Sequence, residues 1–224
     1  MSETPYSPDR RPVPARERRA SKQLAEWMAK RGVSPNAISL AGMCAGVAAG
    51  GALALTSWSS LWRLDFLAAA LLMQLRLVAN MLDGMVAIAT QKASPVGELY
   101  NEVPDRVSDA AIFIGAGYAT GGNPELGYLA ACLAIFIAYI RAEGKVAGAH
   151  QEFCGPMAKP QRMFVLTVAS LYCGLAPQEW QPVPATLPGW GVMAASLILI
   201  LVGGLWTVVR RLVRVARAIR SGHP

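Results

Sequence analysis

The sequence predicts an all-α integral membrane protein: six transmembrane helices preceded by an amphipathic interfacial helix. Three observations carry this. The 224 residues are 54% hydrophobic and only 16% charged, which lies outside ordinary soluble composition. Long stretches carry no charge at all: one between Arg31 and Arg63, another over Pro188–Val209. Roughly 20 such residues cross about 30 Å of hydrocarbon. The basic residues, finally, gather on one side. With both termini inside, 18 of the 21 Lys and Arg fall in the tails and inner loops, and the outer loops hold only Arg63. That asymmetry is the positive-inside rule and places both ends in the cytoplasm.

The same distribution assigns the net charge of +7 to a membrane surface rather than to nucleic acid. An inner membrane of a bacterial cell is the expected location. A soluble helical bundle is the competing reading, because the middle runs are short.

Residues 1–14, broken by Pro5, Pro8, Pro12 and Pro14, read as a disordered cytoplasmic tail. They are polar and basic, as is the stretch up to Arg31, without the apolar centre or cleavage site of a secretory signal. Residues 15–34 form the interfacial helix, with Leu24, Trp27 and Met28 on one face and basic residues around the rest. A helix exposed to the cytosol fits the same pattern. A six-helix membrane domain follows over residues 35–216, and residues 217–224 are a basic tail.

Span one is entered through Pro35, with Asn36 as the capping-type residue. Within it Gly42, Gly46 and Gly50 recur every four residues, a surface for close helix packing that leaves a homodimer open. Span two covers Phe66–Ala89, interrupted only by Arg76 and Asp83; span three starts near Gly97 and includes the run Ala110–Pro124. Leu126–Ile140, Met163–Gln178 and Pro188–Val209 supply the last three. Cys44, Cys132, Cys154 and Cys173 fall singly, as free thiols. His150 and His223 are too scattered for a zinc site.

The stretch "NMLDGMVAIATQKASPVGELYNEVPDRVSD", residues 80–109, holds five of the fourteen acidic residues. Ionisable groups at membrane depth are costly and mark function by default. Residues four apart stack on one helical face. Spans two and three, joined by a short connection, are expected to be antiparallel neighbours, which generates four levels. Ala87 meets Gly97 at the cytoplasmic mouth. Asp83 and Gly84 meet Asn101 one turn deeper, and Asn80 meets Asp105 below. Arg76 and Asp109 close the floor as a buried ion pair, structural or catalytic. The middle levels offer four oxygen-bearing side chains, Asn80, Asp83, Asn101 and Asp105, suited to hard cations such as Mg2+ or Mn2+.

These residues resemble the motif of the CDP-alcohol phosphotransferases, D-x2-D-G-x2-A-R-x8-G-x3-D-x3-D. Asn80, Asp83, Gly84, Ala87, Ile88, Gly97, Asn101 and Asp105 keep every interval and match five of the eight named positions. The "SPN" entry to span one and "YIRAEGKVAG" at 139–148 are also similar to the family. The resemblance implies transfer of a phosphatidyl group from CDP-diacylglycerol to an alcohol, with release of CMP, within phospholipid biosynthesis. It implies a two-metal site of Asn80, Asp83, Asn101 and Asp105, with Asp105 as general base. Asp83, Gly84, Ala87 and Gly97 would bind the CDP moiety. The family also suggests a homodimer surrounded by membrane lipids.

Asn80 and Asn101 replace aspartates, and Ile88 replaces the arginine. Each Asn keeps an oxygen for a metal but loses a charge, which Glu98 and Glu102 are placed to restore. An active variant is favoured because Asp83 and Asp105 survive; a catalytically inactive lipid-binding or scaffold relative is the alternative. A transporter would need polar residues on several spans. Arg141, Lys159 and Arg162, on the inner side between spans four and five, either obey the positive-inside rule or form a subsite for a phosphorylated acceptor.

Overall fold

The computed structural model describes residue 16 and residues 18–91, 95–149, 154–181 and 189–220, with the side chains of residues 95 and 98 left out. The tail at 1–14 and the final residues 221–224 lie outside the described residues. Among those described, seven α-helices form: α1 Arg19–Lys30, α2 Pro35–Leu55, α3 Trp62–Ala89, α4 Pro95–Tyr118, α5 Pro124–Val146, α6 Lys159–Leu175 and α7 Val192–Arg220. A single 3-10 turn, Gln178–Trp180, follows α6.

Four of them, α2, α3, α5 and α7, are long and apolar enough to cross a membrane. The other two long helices miss that description for visible reasons: α4 carries the acidic stretch, and α6 has only 17 residues. The outward faces are oily as well. Leu64, Leu71 and Leu75 on α3, Phe164 and Leu175 on α6, and Val202, Leu205 and Trp206 on α7 are all at least half exposed. Water would not tolerate that much apolar surface on a lone soluble chain, so the bundle is an integral membrane protein rather than a soluble one. Trp58, Trp180, Tyr118 and Tyr128, all exposed, stand at the end of the bundle away from the charged cluster, as interfacial aromatics do.

Local chemistry sets the helix starts. Ser34, not Asn36, caps α2: its side chain accepts from the Ala37 N–H at 3.1 Å. Pro35 has no N–H to satisfy and takes the first helical position, which puts the cap at Ser34, two residues before Asn36. Asn123 caps α5 before Pro124 in the same manner. Pro104 sits inside α4, where it removes one backbone donor.

The glycine stripe of α2 faces inward. A Cβ on Gly42 would lie 2.9 Å from that of Ala79, one on Gly46 would collide with Ser108, and one on Gly50 with the Ala111 carbonyl. The stripe therefore seats α2 on α3 and α4 of its own chain and is not a face for a second copy. Away from it, α5 packs on α4 and α7, and α6 on α3. Phe66, Met73, Phe113, Met163, Leu166 and Leu197 fill the core between them. On α1 the protein-facing residues are Ala25, Met28 and Ala29, packed near Ile38, Leu82 and Val86. Leu24 and Trp27 point outward, so the face read from the sequence is split between protein and surroundings.

Candidate functional site

Two helices supply most of the site. On α3, Arg76, Asn80 and Asp83 follow one face; on α4, Asn101, Asp105 and Asp109 do the same. Close packing of α2 against both brings Ser39 in from a third side, and its hydroxyl donates to Asp83 Oδ2 at 2.7 Å. The Gly84 N–H donates to the other oxygen of the same carboxylate. Asp83 is 3% exposed, and among the described residues it has no ion-pair partner.

The levels expected from helical spacing are shifted. Asn80 spans two of them, its amide nitrogen donating to Asn101 Oδ1 at 2.9 Å and to Asp105 Oδ1 at 3.1 Å. The hydrogen bonds to Asp83 come from Ser39 and Gly84 instead of from Asn101. The reason is the third helix. Pairing α3 with α4 alone leaves out α2, which occupies the side of Asp83. Ala87 and Gly84, near the end of α3, are buried and Gly97, near the start of α4, is half-buried, while Ile88 is exposed.

The floor is a network rather than one pair. Arg76, 1% exposed, reaches Asp109 Oδ1 at 3.1 Å and Asp105 Oδ1 at 2.8 Å through one nitrogen. Its Nε donates to Ser108 Oγ at 3.0 Å. Arg162 holds the second Asp109 oxygen at 3.3 Å, donates to the Met157 carbonyl, and lies over the Phe113 ring. A fully buried carboxylate held by two guanidiniums is an arrangement in which removing any member strands a charge.

Lys159, the first residue of α6, points into the same cluster. Its ammonium pairs with Asp105 Oδ2 and donates to Asn80 Oδ1 at 3.3 Å. This fixes the orientation of the Asn80 amide: its oxygen faces the ammonium and its NH2 faces Asp105 Oδ1, so a flipped amide would set donor against donor and oxygen against oxygen. Arg141 and Arg106 both pair with Glu102, at 2.6 and 2.7 Å. Arg141, Lys159 and Arg162 each face a different carboxylate: Glu102, Asp105 and Asp109. Glu102 is likewise engaged by two arginines, which leaves it little charge to lend to a metal. The side chain of Glu98 lies outside the described residues.

Sequence reasoning missed Ser39 and Ser108, and it did not bring Lys159 or Arg162 to the aspartates. A serine one turn into span one, or four residues after Pro104, carries no periodic signal of its own. The donor set of Asp83, Asp105, Asn80 and Asn101 fits a hard divalent cation. The fit is best on the Asp83 side, since both oxygens of Asp105 already carry cations.

No protein-family model matches the chain. It is 30% identical over 200 residues to the phosphatidylinositol phosphate synthase of Streptomyces avermitilis, covering 87% of this chain and 77% of that protein. It is 25% identical to inner membrane protein YnbA of Escherichia coli, over 83% of this chain and 85% of that one. Among solved structures it resembles Mycobacterium tuberculosis phosphatidylinositol phosphate synthase (PgsA1) with CDP-DAG bound, with TM-score 0.68, 22% identity, and 88% and 94% of the two chains covered. The same protein in complex with manganese and citrate gives TM-score 0.67 and 21% identity, over 87% and 88%.

Proposed function

This chain belongs to the CDP-alcohol phosphotransferase family, and from that membership we propose that it transfers a phosphatidyl group from CDP-diacylglycerol to an alcohol, releasing CMP, in phospholipid biosynthesis. The observation that carries the reading is the position of Asp105, on the polar seam of α3 and α4 and 14% exposed in its side chain. Three groups occupy its carboxylate, Arg76 and Asn80 on Oδ1 and Lys159 on Oδ2. A carboxylate accepts about four hydrogen bonds, so one position on Oδ2 is left, open in turn to a metal ion or to the proton of an acceptor hydroxyl. Asp105 is then the general base, and the cations around it fix its orientation.

Asn80, Asp83, Asn101 and Asp105 would hold Mg2+ or Mn2+, which when bound neutralises diphosphate charge and polarises the phosphoryl oxygen. Asp83, Gly84, Ala87 and Gly97 would take the CDP moiety, the small residues allowing a nucleotide close to the backbone. Helices α2–α7 would each span the membrane, with α1 on the cytoplasmic interface and the site opening to the cytoplasm. An inositol phosphate is the acceptor to test first, since the Streptomyces relative is named a phosphatidylinositol phosphate synthase. Of the basic residues, Arg141 and Lys159 retain some exposure, 21% and 16% of their side chains, whereas Arg162 is buried on the floor. A homodimer, if formed, uses a face other than the α2 glycines.

A second reading has its own support: the ion-paired state of Asp105 is also what a silent, lipid-binding relative would keep. Lipid mass spectrometry of cells with and without the chain tests the proposal and identifies the alcohol. A phospholipid class that vanishes with the gene supports the transferase; unchanged lipids favour the silent relative.

A further inference from the structure

We propose that the ammonium of Lys159 stands in for one divalent cation, so that this chain binds one ion fewer than a four-aspartate version of the site would. The inference rests on reading residues 80–105 as a cation site and goes beyond it in assigning the number of ions and the group that replaces one.

Placement is the first argument. The ammonium touches a carboxylate oxygen from α4, Asp105 Oδ2, and an amide oxygen from α3, Asn80 Oδ1 at 3.3 Å. Bridging oxygens from two facing helices is the task a metal ion performs in such a seam. The Asn80 NH2 supplies a second positive edge, joining Asn101 Oδ1 and Asp105 Oδ1. Aspartates at 80 and 101 would instead set oxygens against oxygens at these contacts and require cations between them.

Charge is the second. Asp105 and Asp109 are ion-paired with Arg76, Lys159 and Arg162, and Asp83 lies within electrostatic reach of Asp105 and Lys159, so three carboxylates are balanced by three cations before any metal arrives. One divalent ion on the Asp83 side already exceeds neutrality. A second, placed beside an ammonium, meets like-charge repulsion without a carboxylate to offset it.

The third is the position of Lys159 at the first residue of α6. A cation at a helix N-terminus opposes the helix dipole, and lysines normally turn their heads to water. This one is turned inward, 16% exposed, so the aspartate holds it there against both tendencies. The positive-inside rule explains a lysine near this boundary but not its direction.

The test counts bound Mn2+ by electron paramagnetic resonance on the purified chain in lipid nanodiscs. Wild type, Lys159→Met and Lys159→Met/Asn80→Asp are compared, with thermal melting to verify folding. At most one Mn2+ per chain in wild type, and one more than that in either variant, is the expected result. Two ions already in wild type, or equal counts in all three, would overturn it. If neither variant folds, the wild-type count decides: two ions overturn the proposal, and one or none supports it. CMP release from CDP-diacylglycerol is assayed on wild type in parallel. Release with equal ion counts rejects only the ammonium exchange, and a gain in ions without release rejects only the transferase reading.

Discussion

The side-chain amide of Asn80 donates to Oδ1 of Asn101 over 2.9 Å, linking α3 to α4 at the centre of the polar seam. An aspartate at either position turns one neutral ligand into a charged one. Asn80→Asp is therefore expected to bind Mn2+ about tenfold more tightly or better, from the Coulomb attraction of one added charge at close range. Isothermal titration in nanodiscs measures this; an unchanged or weaker affinity rejects Asn80 as a metal ligand.

Asp105 is the proposed general base. Asp105→Asn keeps the shape and part of the hydrogen bonding but removes the group proposed to take the proton. Its kcat for CMP release should fall about a hundredfold or more, with cooperative melting retained. A fall of less than threefold would show that another group takes the proton.

Arg76 is 1% exposed and joins Asp105, Ser108 and Asp109. Arg76→Met strands buried negative charge and should cost about 3–5 kcal/mol of stability. Arg76→Met/Asp109→Asn should recover part of that loss, because it removes one of the stranded charges. Chemical unfolding in micelles reports both; a double mutant worse than the sum of its singles contradicts the network.

Two adjacent glycines separate packing from propensity. A Cβ on Gly50 runs into the Ala111 carbonyl, whereas one on Gly51 meets nothing within 4 Å. Gly50→Ala should destabilise by about 1–3 kcal/mol through overpacking. Gly51→Ala should be neutral or stabilise by up to about 1 kcal/mol, since alanine is the better helix former. Melting temperatures in one detergent suffice, and equal shifts for the two would contradict the inward-facing stripe.

Features with a period were legible in the sequence. Four-residue spacing set Arg76, Asn80, Asp105 and Asp109 on facing helices, and the Arg76–Asp109 contact at 3.1 Å follows from that spacing. Features that depend on a third helix were not. Ser39 reaches Asp83 only because glycines let α2 approach closely, and no local pattern joins Lys159 or Arg162 to α4. The same glycines looked equally suited to a partner copy, since a small-residue stripe says that something packs closely but not what. The span count is harder to read at α4 and α6 because α4 carries the acidic stretch and α6 has only 17 residues. Those are the two that composition alone does not mark as spans.

The most direct measurement is CMP release from CDP-diacylglycerol by the purified chain, with a panel of alcohol acceptors led by an inositol phosphate, before and after chelation. Release that requires an acceptor, stops with chelator and returns with Mg2+ or Mn2+ is the predicted result. No CMP with any acceptor or divalent ion, from protein that melts cooperatively, would contradict the transferase reading and leave a silent lipid-binding relative.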